Sequence, residues 1–232
     1  MYDRDIAAQP YAKDALATFM AKVYGWMFTG LVITAIVSLV VATNDRLMKN
    51  LLTPGVMIVL ILLQLGAVLG LSALIHKISY GVAGAIFLAY SGLTGLTFAF
   101  IFQIYTAGSI AGTFFITAAT FGGMSLYGFT TKRDLTTVGN LAFMGLIGII
   151  LASVVNWFIG SSMLYWIVTY VGVAIFIALI AYDTQKLKRI GRQYALEHGD
   201  SMGKVALMGA LSLYLDFINL FILLLRIFGS RR

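Results

Sequence analysis

Lys204-Val-Ala-Leu-Met-Gly-Ala-Leu-Ser-Leu-Tyr-Leu-Asp-Phe-Ile-Asn-Leu-Phe-Ile-Leu-Leu-Leu-Arg226 is an almost unbroken apolar run closed at each end by a basic residue. A helix that crosses a bilayer needs roughly 20 mostly apolar residues, and this stretch supplies them. Near its middle stands Asp216. A carboxylate at that depth costs about 3 kcal/mol on insertion scales, so it is rarely left without a partner or a task. The one other acid that falls at the end of a long apolar run is Asp183, in Ala-Tyr-Asp-Thr-Gln at 181–185.

The rest of the chain has the same solvent. Of 232 residues, 60% are hydrophobic and 11% charged, against about 45–50% and about 25% in soluble domains. Two prolines and 24 glycines suit closely packed helices, because small residues let backbones approach. No cysteine is present, which excludes disulfides, zinc–thiolate sites and thiol chemistry. The net charge of +7 would suggest nucleic acid in a soluble protein. Here the basic residues flank apolar runs, so topology and anionic headgroups explain them, and no nucleic-acid partner is expected.

Seven runs read as spans: about Val23 to Thr43, Gly55 to Ile75, Tyr80 to Gln103, Ser109 to Phe129, Val138 to Ile159, Met163 to Asp183 and Val205 to Phe228. All are continuously apolar, whereas barrel strands alternate at every second residue, so the expected class is an all-α membrane protein. Asn44-Asp45-Arg46 reads as a polar turn, and Pro54 stands where a helix start tolerates it. The expected plan is a polar N-terminal segment (1–22), a single seven-helix domain (23–228) and a short tail (229–232). The N-terminal segment shows no cleavable signal, leaving the first span to direct insertion. Placing the N-terminus inside puts eleven basic residues on inner segments and five outside. The expected topology is therefore a cytoplasmic N-terminus and an outward, periplasmic C-terminus. Gly66-x-x-x-Gly70 and Gly108-x-x-x-Gly112 carry the spacing of tight helix contacts.

At 100° per residue, Ser212, Asp216, Asn219, Leu223 and Arg226 share an arc of about 80° on the seventh helix. A polar stripe of this kind faces protein or water rather than lipid. Hydrogen bonds that merely hold the bundle together are the plainer reading for Ser212 and Asn219. Asp216 resists that reading, because an Asn would make similar bonds without the desolvation cost of a charge. For Asp183 the plain alternative is an interfacial pair with Lys186 at i+3. Counted from Val205, Asp216 lies about 16 Å into its span, while Asp183 closes its own.

Gly-Ala-Leu-Ser-Leu-Tyr-Leu-Asp-Phe-Ile-Asn-Leu-Phe at 209–221, together with the 181–185 segment, resembles signatures of the transmembrane Bax inhibitor motif (Bax inhibitor-1-like) family in its bacterial inner-membrane branch. The likeness spans nearly the whole chain. It implies six helices around a central seventh, with Asp183 and Asp216 as a hydrogen-bonded dyad. It also implies a pH-sensitive calcium leak. Some bacterial members are linked to restraint of a membrane-bound ATP-dependent protease, and eukaryotic ones to suppression of cell death. A basic residue near the inner end of the second helix is the family's proposed latch on the dyad; here His76 and Lys77 are the candidates.

The chemistry of two adjoining carboxylates suits such a leak. They cannot both ionise cheaply in a low-dielectric site, so one proton is shared. Calcium competes for the same oxygens but takes six to eight ligands. Two Asp side chains fall short of that number, leaving water, carbonyls, Ser212 or Asn219 to complete a weak site. Weak binding suits permeation, since a leak must release what it binds. Gln64, the strongly polar group midway along the second span, is a further candidate for pore or dyad support.

Other features read as structural. Trp26, Trp157 and Trp166 look like interfacial anchors. Ser153 and Asn156 look like packing hydrogen bonds, and His198 like a solvated loop residue. No enzymatic constellation emerges. An intramembrane aspartyl protease would also use two aspartates, but its motif set is absent, Asp216 following Leu-Tyr-Leu. The expectation is thus a proton-controlled cation leak, calcium being the transported ion and no cofactor tightly bound. The alternative is a regulatory membrane protein acting on a protease or another quality-control partner.

Overall fold

The computed structural model describes residues 2–51, 53–194 and 200–232, with backbone alone at 2–13, 194 and 200. His198 and Glu197 lie outside the described residues, as do the side chains of Arg4 and Lys13. Apolar composition and the near absence of proline make helices of the described chain: α1 (Tyr2–Ala42), α2 (Asp45–Leu51), α3 (Pro54–Leu74), α4 (Tyr80–Phe98), α5 (Ile101–Ile104), α6 (Ala107–Thr130), α7 (Thr136–Ile159), α8 (Ser162–Tyr194) and α9 (Asp200–Phe228). Seven are long and apolar enough to cross a membrane. In α9, 72% of the apolar window is buried, against 11–39% in the other six, as a central helix requires.

The helix ends follow local chemistry. Asn44 is not part of a simple turn: its Oδ1 accepts from the amides of Arg46 and Leu47 and starts α2. Asp45 and Lys49 sit at the ends of α2 that suit its dipole. Ser79 and Thr106 cap α4 and α6 through their hydroxyls. The third span breaks between α4 and α5, where Phe102 and Gln103 donate to Ala99 and Phe100, tightening the turn into i→i+3 bonds. Gly160 ends α7 in the left-handed region, at φ +68°, with its amide on the Asn156 carbonyl.

Two helices run beyond their apolar stretches. α1 is one helix from Tyr2, so residues 2–22 of the polar N-terminal segment are continuous with the first span. α8 runs about three turns past Asp183, so that residue is interior to a helix and not at its end. The residues after Asp183 leave the apolar pattern yet remain good helix formers (Gln185, Lys186, Leu187, Lys188).

The chain groups into two compact units, Met1–Tyr105 with Ile190–Tyr214 and Arg232, and Thr106–Arg189 with Leu215–Arg231. In the first unit, α1 and α4 meet through glycine: a Cβ on Gly95 would lie 2.7 Å from Val37 Cβ and 2.8 Å from the Thr34 carbonyl. Trp26 lies in the same packing, donating its indole N–H to the Tyr80 hydroxyl at 2.7 Å and meeting Tyr80 and Phe87 edge to face. It is a packing residue as much as an anchor. Tyr214 is fully buried against Phe87 and Tyr90, its hydroxyl 2.7 Å from Thr34 Oγ1, which donates to the Ser91 carbonyl.

In the second unit, Gly128 is seated on the Ala181 carbonyl, and Gly139 on the Tyr182 ring. The expected Gly66/Gly70 and Gly108/Gly112 contacts are not there. A Cβ at any of the four meets nothing within 4 Å. Spacing puts two glycines on one helix face; it does not say that the face meets a neighbour.

Candidate functional site

Asp216 lies in the second unit on α9, 6% exposed. Its Oδ2 has no hydrogen-bond partner among the described residues. The surroundings are aromatic: Phe217 packs on Phe114 and Phe121 of α6 with ring centroids 5.4 and 5.6 Å away, and Phe221 also meets Phe114. A buried polar atom left unpaired costs about 1–3 kcal/mol, more if it is charged. This atom is therefore the most conspicuous polar feature of the helix.

Asp183 belongs to the same unit, half-buried on α8. Asp183 precedes the end of α8 by about three turns, and Asp216 follows the start of α9 by about four and a half. Lys186 lies over the Tyr182 ring at 6.0 Å.

The remaining candidates separate. Asn219 donates to the Leu215 carbonyl of its own helix at 2.8 Å, and Ser212 is half-buried. Gln64 Nε2 donates to the Leu93 carbonyl and Thr97 Oγ1, so its amide nitrogen ties α3 to α4. His76 and Lys77 are exposed in the turn after α3. Ser153 bonds back to Ile149 of its own helix, and Asn156 Oδ1 accepts the Ser161 amide, closing the α7–α8 turn rather than joining helices. Among the described residues no group of three or more His, Cys, Asp or Glu could hold a metal. Any cation at Asp183 and Asp216 would need water or carbonyls as further ligands.

Sequence reasoning missed a clasp on the far part of α8. Gln185 accepts the Leu135 amide at 2.9 Å and donates to the Arg133 carbonyl at 2.7 Å. Lys188 donates to the Phe129 carbonyl and lies over the Phe129 ring. Arg189 reaches Asp134 at 3.4 Å. Asp134 is held below the ordinary aspartate value of 3.8, first by the Thr136 hydroxyl and then by its amide, with Arg189 adding a smaller part. The basic residues of this stretch read as topology signals, and only their partners in the α6–α7 link reveal the clasp.

The family model described as "Inhibitor of apoptosis-promoting Bax1" matches residues 16–232. The chain belongs to this Bax inhibitor-1-like family. It is 54% identical over 229 residues to the inner membrane protein YbhL of Escherichia coli strain K12, covering 98% of this chain and 97% of YbhL. A protein of Borreliella burgdorferi is 45% identical over 215 residues, 92% of each chain. One of Rickettsia prowazekii is 39% identical over 220 residues, covering 94% of this chain and 92% of that one. This Bax inhibitor-1-like chain is thus a multi-pass membrane protein with seven apolar spans.

Proposed function

We propose that this protein is a proton-controlled cation leak of the bacterial inner membrane, with calcium as the transported ion and Asp183 and Asp216 as its switch. The observation that carries the reading is the Asp216 carboxyl: 6% exposed, inside an apolar helix, one oxygen unpartnered among the described residues, and in the same compact unit as Asp183. A merely structural bond at this point would be made by an amide at lower cost. Two carboxyls that share a proton hold the site closed to cations; removal of that proton leaves oxygens that calcium can occupy. The inner-membrane location is supported by the name of the E. coli relative.

The test is calcium flux into proteoliposomes as a function of pH, for the wild type and for Asp183→Asn and Asp216→Asn. The expected outcome is a pH-dependent flux that becomes flat with pH in Asp216→Asn. Wild-type pH dependence in that variant would overturn the switch. The absence of any protein-dependent flux in the wild type would overturn the leak itself.

A further inference from the structure

At the end of α9 away from Gly203, the second unit carries a cleft of about 680 Å³, within the usual 300–1,000 Å³ of ligand sites. Its walls come from the α7–α8 turn, the first turn of α8, the end of α9 and the tail. Arg226 and Arg231 line it, along with Asn156, Ser161, Tyr165 and Trp166, and no acidic residue does. Among the described residues neither guanidinium has a carboxylate within ion-pair distance.

Each arginine is positioned. Arg226 lies over the Tyr165 ring, 5.1 Å from its centroid. A guanidinium held over a ring can still offer N–H groups to a planar or tetrahedral anion, which it grips in two-pronged fashion. Arg231 follows Ser230, whose amide donates to Ser109 Oγ at 2.8 Å and whose carbonyl accepts the Thr106 amide at 3.1 Å. The tail is therefore pinned to the start of α6, and Arg231 is held beside the cleft instead of ranging through solvent.

The flanks give the depth. Trp157 and Phe158, just before the α7–α8 turn, are 82% and 80% exposed, and Trp166 and Tyr170 stack with their centroids 5.6 Å apart. Exposed aromatic residues at the end of apolar spans mark the headgroup level. Basic pockets between spans at that level take anionic headgroups.

We propose that this cleft binds the phosphodiester of an anionic phospholipid, gripped by Arg226 and Arg231. The test is native mass spectrometry of the full-length protein released from micelles containing phosphatidylglycerol or phosphatidylcholine. The wild type is expected to retain phosphatidylglycerol about tenfold better, the worth of one charge-assisted hydrogen bond. The double variant Arg226→Gln/Arg231→Gln loses that preference, and Lys132→Gln, exposed in the α6–α7 link, keeps it. Arg231→Gln alone changes only an exposed tail residue. It reads out a partial loss even if the double variant folds poorly. Equal retention of both lipids by the wild type, or an unchanged preference in the arginine variants, would overturn the site. Displacement of phosphatidylglycerol by millimolar inorganic phosphate would reassign the cleft to a soluble phosphate and overturn the lipid.

Discussion

Asp134 and Asp216 show how differently one residue type behaves on the two sides of a membrane boundary. Asp134 is exposed, and its carboxylate accepts from the Thr136 hydroxyl at 2.6 Å and the Thr136 amide at 2.9 Å, which begins α7. Because its folded value is depressed, these bonds hold throughout the neutral range. They are lost only as pH falls through a value below 3.8. Hydrogen-exchange protection at the start of α7 is therefore expected to be flat at neutral pH and to fall below that point in the wild type. In Asp134→Ala it is lower and insensitive to pH. Equal protection in the two proteins at neutral pH would show that these bonds do nothing. Asp216 was legible from composition alone, because one carboxylate in a long apolar run is a rare event with a known cost. Asp134 was not, because an Asp in a polar loop looks the same whether or not its carboxylate holds the residue that begins a helix.

Among the elements, glycine contacts separate helices that touch from those that only share a spacing. A Cβ at Gly128 would fall on the Ala181 backbone, which cannot turn aside as a side chain would, so α6 and α8 must part. Gly128→Ala is expected to destabilise by about 1–3 kcal/mol or more, read as a melting point several degrees lower in detergent. Gly148→Ala, with nothing within 4 Å, should be neutral or stabilising by up to about 1 kcal/mol, since Ala is the better helix former. Equal melting points for the two variants would remove the argument. Span positions were legible because apolar length is a strong signal. The extension of α8 was not, because hydropathy ends at Asp183 while helix propensity continues through Gln185 and Lys188. The arginine cleft was also beyond reach. It joins the α7–α8 turn to residues 226–231, and no local pattern announces that meeting.

For the molecule as a whole, the distribution of basic residues makes a statement about sidedness that a cysteine-free chain can test directly. Lys132→Cys and Arg231→Cys each introduce a lone thiol at an exposed position. A membrane-impermeant maleimide applied to the outer face of the membrane is expected to label position 231 and to spare 132 until the membrane is opened. Labelling of 132 alone would invert the topology. The same pair would show which leaflet the arginine cleft faces, and so which lipid pool it meets.

The seat of Gly128 on the Ala181 carbonyl has a mechanical consequence. The residues one turn back on the same face of α6 are Met124 and Ser125, and each carries the Cβ that this joint does not admit. α6 and α8 are thus keyed at one point: they can pivot there, but a slide of α8 by one turn toward Met124 and Ser125 would bring a Cβ onto the Ala181 carbonyl. Asp183 is two residues from the keyed carbonyl, so its height along α6 is set by that joint. A movement of α8 that changes the distance from Asp183 to Asp216 is then a tilt about the key rather than a slide along α6.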